Sequence, residues 1–355
     1  MSQLFTPITL RSTEVANRIW TAPMCQYSVD LEDGVPTDWH LVNLGSFARG
    51  GAGMVFTEAT AVSPEGRISP QDTGIWNDEQ VQAWSRITSF IRSQGSVPAI
   101  QLAHAGRKGS TYKPWSTAHG TVPVEEGGWM PVAPSAVAFD GYATPRALDL
   151  DEIPGVVDSF VASGLRALEA GFEVLEVHAA HGYLLHEFLS PLSNFREDAY
   201  GGSLENRARL LLEIVRALRA AVGDIPVLVR FSATDWTDGG WDEEQTATVA
   251  GWAQDAGADF FDISSGGLVP AQIPLSAGYQ VPFAHGIRSS AEVPVSAVGL
   301  ISDAEQAEAI VAEGRADVVM MAREFLRDPH FPLRAAHELG FPIVYPPQYE
   351  RARFR

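Results

Sequence analysis

Eight short apolar runs punctuate the chain, at residues 19–22, 54–57, 98–102, 174–178, 227–231, 260–263, 295–298 and 318–321. They are rich in Val, Ile, Phe and Leu and are apolar on both faces. Strands with that pattern are buried on both faces, which is the habit of parallel sheets. Between most of them the pattern changes to a helical period, at 40–49, 79–93, 154–170, 204–221, 243–256 and 304–313. Asp78, Ser203, Asp242 and Asp303 stand where a helix needs a side-chain acceptor for its free N–H groups. Gly95, Gly171, Gly257 and Gly314 stand where a helix ends in a left-handed residue.

Eight strands alternating with helices predict an α/β fold. The count favours a closed (β/α)8 TIM barrel, with an N-terminal hairpin, over an open doubly wound sheet. No strand is followed by Gly-x-Gly-x-x-Gly, the fingerprint of dinucleotide-binding open sheets. No linker-like composition shift divides the chain, so a single domain over 1–355 is expected. One segment stands apart. Residues 103–148, after the third strand, are rich in Pro, Gly, Ser and Thr and include Trp115 and Trp129. Loops of that length are uncommon unless functional, and this one falls on the face where barrels build their sites. A cap over a pocket is expected there.

Composition narrows the field. Apolar residues make up 45% and charged residues 19% of the 355, enough for a sizeable core. The net charge of −19 opposes binding to phosphate backbones and anionic lipid, so neither nucleic acid nor membrane is an expected partner. Cys25 is the lone cysteine, which excludes an intrachain disulfide and suits a reducing compartment. No run of about 20 apolar residues is present to span a bilayer, and residues 1–10 lack the pattern of a signal peptide. A cytoplasmic protein is expected.

In a barrel, chemistry gathers at the C-terminal ends of the strands. Those ends carry Ala22-Pro23-Met24-Cys25-Gln26-Tyr27, Glu58-Ala59, Gln101 with His104 and Arg107-Lys108, His178 to Tyr183, Arg230, Ser264 to Gly267, Gly299 and Arg323. His178 and His181, three apart, can polarise one substrate oxygen, bind a metal or be structural. Against a metal, no cysteine or carboxylate ligand stands near in sequence, and Glu176 on the strand itself is expected to point elsewhere. Tyr183 is placed to donate a proton. Cys25 reads as a buried hydrophobe, a nucleophile or a soft contact to a cofactor. A buried Arg230 requires an anionic or electron-rich partner, and Arg323 falls where barrels commonly hold a phosphate.

The motifs resemble one family along nearly the whole chain, residues 4–351. His-Ala-Ala-His-Gly-Tyr-Leu-Leu-His-Glu-Phe-Leu-Ser-Pro at 178–191, Asn194 and Tyr-Gly-Gly-Ser-x-x-Asn-Arg at 200–207 are similar to the signature of the Old Yellow Enzyme family. So are Ala-Pro-Met-Cys-Gln-Tyr at 22–27, Gly-Arg-Ile-Ser at 66–69, Gln-Leu-Ala-His-Ala-Gly-Arg-Lys at 101–108 and Arg-Glu-Phe-Leu-Arg-Asp-Pro at 323–329. Cys25 after Pro-Met, and the tail Gln-Tyr-Glu-Arg at 348–351, resemble its bacterial thermophilic-like class, which holds the Bacillus and Pseudomonas xenobiotic-type ene-reductases.

The resemblance implies non-covalent FMN, NADPH or NADH as reductant, and reduction of activated C=C bonds in a small-molecule substrate. It implies that Ala22, Pro23, Met24 and Cys25 lie along the flavin and that Ala59 and Gln101 touch its ring. Arg230 would sit near N1 and O2, with Gly299, Ala322 and Arg323 at the phosphate and no metal. His178 and His181 would grip the acceptor oxygen, Tyr27 and Cys25 would line the pocket, and Tyr183 would donate the proton. It further implies a homodimer or homotetramer in which Arg351, on the tail 346–355, reaches the neighbouring active site. The related dienoyl reductases carry an iron–sulfur cluster, which one cysteine cannot build. A metal-dependent barrel hydrolase or lyase and a flavin-storing barrel without turnover are the other classes that these residues admit.

Overall fold

The computed structural model describes residues 2–354. The chain opens with an antiparallel hairpin, β1 (Ile8–Leu10) and β2 (Thr13–Val15). Eight parallel strands then close into a barrel: β3 (Ile19–Thr21), β4 (Met54–Ala61), β5 (Val97–Ala103), then, after the short parallel pair β6 (Val132–Ala133) and β7 (Arg146–Ala147), β8 (Val174–Ala179), β9 (Val227–Ser232), β10 (Phe260–Ser264), β11 (Val295–Ala297) and β12 (Val318–Met321). β12 pairs with β3 to complete the ring. Each of the eight apolar runs is a barrel strand.

The helices are α1 (Asp38–Arg49), α2 (Asp78–Ser93), α3 (Ile153–Glu169), α4 (Leu184–Leu189), α5 (Leu204–Val222), α6 (Glu243–Ala256), α7 (Val281–Ala291), α8 (Ala304–Ala312), α9 (Arg323–Arg327) and α10 (Phe331–Glu338). Ser203, Asp242 and Asp303 cap α5, α6 and α8 through their side chains. The capping role expected of Asp78 belongs to Asn77. Its side chain accepts from Gln80 N at 3.0 Å while Gln80 Oε1 accepts from Asn77 N at 3.2 Å, a reciprocal box that a carboxamide one residue earlier provides. Gly95, Gly171, Gly257 and Gly314 all have positive φ, as the helix ends require. α7 was hidden from the periodicity by its small and polar residues, and α4, α9 and α10 by their shortness.

The barrel interior is layered. Its floor is apolar, with Trp20, Met54, Phe56, Val97, Val174, Leu228, Phe260 and Val318 all buried in one cluster. Trp20 and Phe260 pack at 5.2 Å between ring centroids, and Trp20 Nε1 donates to Asn17 O at 3.0 Å. Above the floor lies a polar layer, described with the site. Around the outside, a larger cluster joins the helices to the outward faces of the strands.

The segment 103–148 is folded down, not loose. Arg107 is buried and its guanidinium donates to Val137 O at 3.2 Å and Leu268 O at 2.6 Å, tying the segment to the loop after β10. Phe260 fills the floor of the barrel, so Phe260→Ala is expected to cost about 3–5 kcal/mol. Urea denaturation measures that loss, and Phe260→Leu is expected to recover most of it.

Candidate active site

Alternation along the strands decides which side chains enter the barrel mouth. On β8, Val174, Glu176 and His178 share the inward face. Glu176 therefore points the same way as His178, one layer below, and not elsewhere as expected from the sequence. It is held there by Gln101 Nε2, which donates to Glu176 Oε1 at 2.7 Å across the β5–β8 register. On the adjoining strands Arg230 Nε meets Asp262 Oδ2 at 2.7 Å, and Ser296 Oγ donates to Asp262 Oδ1 at 2.8 Å. The partner that a buried Arg230 requires is thus a carboxylate on the next strand. Burial, with Asp262 nearby, raises the Glu176 carboxyl to about 8, so it carries a proton at neutral pH.

His178 and His181 stand above this layer with their rings 5.2 Å apart and nearly perpendicular. Tyr183 adds a third ring, 5.0 Å from His178. Ala180 N donates to His178 Nδ1 at 3.3 Å, so the proton of that imidazole sits on Nε2. His181 Nε2 lies 2.8 Å from Ser264 Oγ. Burial first, then Arg230, holds both histidines well below their ordinary pKa, so both are neutral imidazoles at pH 7. Burial and the nearby Cys25 push the Tyr183 phenol well up, which keeps its proton in place.

His181 has φ 60° and Gly182 φ 72°. This tight turn presses the loop after β8 on the loop after β10. A Cβ on Gly182 would fall 2.3 Å from Gly267 O, and one on Gly267 would fall 2.7 Å from His181 Cα. Lys108 fastens the same junction, donating to His181 O at 2.8 Å and Gly267 O at 2.9 Å. Burial lowers its ammonium to about 8. Lys108 and Ser264 both stand at strand ends in the sequence, with no task assigned to either. Nothing in the sequence pairs either with His181, because those contacts cross between loops.

The loop 22–27 is set by Glu58. A register shift between Phe56 and Ala59 bulges β4 and brings Ala59 beside Gln101. Gln26 N donates to Glu58 Oε2 at 2.9 Å, while His40 Nε2 lies 2.9 Å from Glu58 Oε1. His40 Nδ1 accepts from Thr37 N at 2.8 Å as part of the α1 cap. Cys25, Tyr27 and Tyr183 then pack partly buried against Ala59, Ile68, Ala103 and Ala105. Burial first, then Asp72 and Glu58, push the Cys25 thiol well up, so it is a thiol and not a thiolate. A cavity of about 500 Å³ adjoins this group, lined by Tyr27, Ile68, Lys108 and Tyr183 and by residues 111–114, 119–120 and 140–142 of the long segment.

Ala22, Ala59, Gly299 and Ala322 are small residues at or just past the C-terminal ends of β3, β4, β11 and β12, and Arg323, next to Ala322, is exposed. A Cβ on Gly299, φ 115°, would fall 2.7 Å from Gln280 Nε2. Small side chains at these strand ends, a buried guanidinium on β9 and an exposed one after β12 are residue types that suit a planar ring carrying a phosphate. Arg351 is brought to none of this. It lies on an exposed turn at Pro347–Ala352, where Tyr349 packs on Arg49 and His330, beside the end of α1. Among the described residues no cluster of three or more His, Cys, Asp or Glu side chains is arranged to hold a metal ion, and no helix is long and apolar enough to cross a membrane.

Residues 3–340 match the sequence profile of the NADH:flavin oxidoreductase / NADH oxidase family. The chain belongs to that family, the Old Yellow Enzymes. It is 46% identical over 350 residues to the NADPH dehydrogenase of Bacillus subtilis (strain 168), covering 98% of each chain. To the NADPH dehydrogenase of Halalkalibacterium halodurans it is 44% identical, covering 99% of this chain and 98% of the relative. Among solved structures it resembles morphinone reductase, with a TM-score of 0.80 and 31% identity over 98% of this chain and 92% of that one. The Old Yellow Enzyme homologue of Zymomonas mobilis gives 0.78 and 31% over 96% and 94%. The chain is thus an FMN-dependent NADPH oxidoreductase.

Three buried carboxyls of this Old Yellow Enzyme give a pH prediction. Burial raises Asp72 to about 7, and Glu176 and Glu187 to about 8. A group with a raised folded pKa binds its proton more tightly in the folded state. Its contribution is complete below the unfolded pKa and is lost as pH rises through the folded value. Stability is therefore expected to fall between pH 4.5 and pH 8. Glu176→Gln, which keeps an acceptor for Gln101, is expected to flatten that fall in urea titrations at several pH values.

Proposed function

We propose that this oxidoreductase reduces activated C=C bonds in enones, enals, maleimides and nitroalkenes, by a ping-pong cycle in which reductant and acceptor use the same pocket. The observation that carries the reading is the cluster of His178, His181 and Tyr183 at the end of β8, two neutral imidazoles and a protonated phenol in ring contact. When bound, FMN supplies the redox step, taking hydride from nicotinamide and passing it to the β-carbon of the acceptor.

The chain's own residues do the rest. The two imidazoles donate hydrogen bonds to the acceptor's carbonyl or nitro oxygen and draw electron density onto it. Neutral donors suit this task, because they stabilise charge as it develops without pairing with a spectator anion. Ser264 supports the arrangement by holding His181 Nε2, which turns Nδ1 toward the acceptor. Tyr183 then delivers its proton to the α-carbon. Tyr27 and Cys25 wall the pocket. Ala22, Pro23, Met24, Cys25, Ala59 and Gln101 would lie along the flavin, with Arg230 near N1 and O2, and Gly299, Ala322 and Arg323 at the phosphate.

Tyr183→Phe keeps the ring and removes only the proton. Reduction of cyclohexenone is expected to slow by about 10²–10⁴, while anaerobic oxidation of NADPH stays near wild type. Stopped-flow measurement of the two half-reactions separates them, and equal damage to both would make Tyr183 a structural residue.

We also propose a homodimer, or a dimer of dimers, in which Arg351 enters the neighbouring pocket. Support comes from its exposure and from the packing of its tail beside the end of α1, away from the strand ends that form this chain's own mouth. Two-fold symmetry makes such an exchange reciprocal. Deleting the residues after Gln348 is expected to weaken the dimer or raise the acceptor KM while FMN is retained. Light scattering and steady-state kinetics check this, and unchanged mass and kinetics would refute it.

A further inference from the structure

Of the 25 basic side chains, only Lys108 and Lys113 are lysines, the others being arginines. Both lysines line the same cavity, the one of about 500 Å³ that opens beside Tyr27 and Tyr183. Elsewhere this chain meets its fixed carboxylates with arginine, as at Arg230–Asp262, Arg146–Glu152 and Arg196–Asp198. A guanidinium fork suits a carboxylate held in one place, whereas an ammonium is a compact charge on a flexible stem that adapts to what arrives.

Lys108 is committed to His181 O and Gly267 O. Lys113 is not committed in that way. Its nearest carboxylate oxygen, on Asp30, is 4.0 Å away, and that side chain is 89% exposed. Such a pair is worth little in water. Lys113 Nζ lies 5.7 Å from the centre of the Trp115 ring, and Trp115 meets Tyr27 edge to face at 5.8 Å. Aromatic contacts therefore link Tyr27, on the cavity lining, through Trp115 to the Lys113 ammonium. Trp115 is 62% exposed, an unusual state for so large an apolar side chain beside a cavity. His119 lines the cavity as well. Asp140 is the carboxylate on its lining, and Glu126 is occupied by the Tyr112 hydroxyl at 2.7 Å.

We propose that the outer half of this cavity, Lys113 and His119 beside the Trp115 face, is a subsite for an anionic group. It receives the charged end of a molecule whose reactive end lies at His178 and Tyr183, either a phosphate of the nicotinamide reductant or an acidic substituent on the acceptor. The proposal rests on the reductase reading above. A chain of net charge −19 repels anions at long range, so local cations at the entrance are needed to bring one in. The volume suits such a ligand, since small-molecule sites run from about 300 to 1,000 Å³.

The test is steady-state kinetics on the FMN-loaded enzyme carrying Lys113→Gln with His119→Gln. The substrates are NADPH, NADH, cyclohexenone, and an enone carboxylic acid with its methyl ester. Loss of a charge-assisted contact is expected to raise the KM of the anionic partner about tenfold with kcat unchanged. High salt is expected to shrink that difference, and Lys113→Arg to restore part of it. A rise for NADPH alone places the ribose phosphate here. A rise for NADPH and NADH together places the diphosphate here, and a rise for the acid but not its ester places the acceptor's substituent here. An unchanged KM for every anionic partner, or an equal rise for neutral cyclohexenone, overturns the subsite. If the wild type oxidises NADPH but reduces neither enone, the ene-reductase reading fails, while the NADPH arm still decides the subsite.

Discussion

The polar layer inside the barrel is the constraint on which the site depends. Gln101, Glu176, Arg230, Asp262 and Ser296 come from five strands and meet below the mouth and above an apolar floor. An isolated charge there would be costly, and breaking a buried pair leaves its partner uncompensated. The layer is stable because its members neutralise one another. Arg230 pairs with Asp262, and Glu176, raised to about 8, takes a proton where a third full charge would be unpaired. The result is a nearly neutral layer in which one guanidinium is held by a carboxylate on the next strand.

Above the platform the loops are held by one device used twice. His40 accepts from Thr37 N through Nδ1 and meets Glu58 through Nε2 at 2.9 Å. His186 accepts from Gly182 N at 2.9 Å and meets Asp235 through Nε2 at 3.0 Å. In each case a backbone N–H fixes the tautomer, so the other nitrogen must face the carboxylate. The first tie sets the loop with Cys25 and Tyr27, and the second sets the turn that carries His181 and Tyr183. Burial alone would push the Asp235 carboxyl up, but His186, Ser190 and Trp241 N outweigh it and hold it down. Of the chain's nine histidines, His40 and His186 thus hold loops, while His178 and His181 stand in ring contact beside Tyr183.

The sequence made the barrel legible because each strand is buried on both faces and so carries an unbroken apolar run, a signal that needs no partner to be read. The helix ends were legible through local chemistry, as at Ser203 and Gly257, with Asn77 displaced by one residue from where the acidic Asp78 drew attention. What could not be read was anything set by contacts between loops. Glu176 is a related case on the strands. It was expected to point elsewhere although alternation with His178 turns it inward, and its protonation depends on Asp262 and Arg230, on two other strands and more than fifty residues away. The partners of His181, namely Ser264 and Lys108, are distant in the same sense. Physical reading of His178 and His181 alone leaves a polarising pair, a metal pair and a structural pair open, because the choice rests on what lies opposite the rings.

Two consecutive residues then couple the cap to the chemistry. Arg107 reaches Val137 and Leu268, and Lys108 reaches His181 and Gly267. The segment 103–148 is therefore joined to the backbone that carries His181. Gly182 and Gly267 allow the two loops to touch, but contact without Lys108 would leave two carbonyl oxygens facing each other's loop with no donor between them. A single ammonium with three donors solves that problem, and a flat guanidinium would need more room than the glycine contact leaves. Any shift that carries residue 108 with it therefore also removes the donor from His181 O and Gly267 O, so the root of the segment and the turn at 181–182 move together.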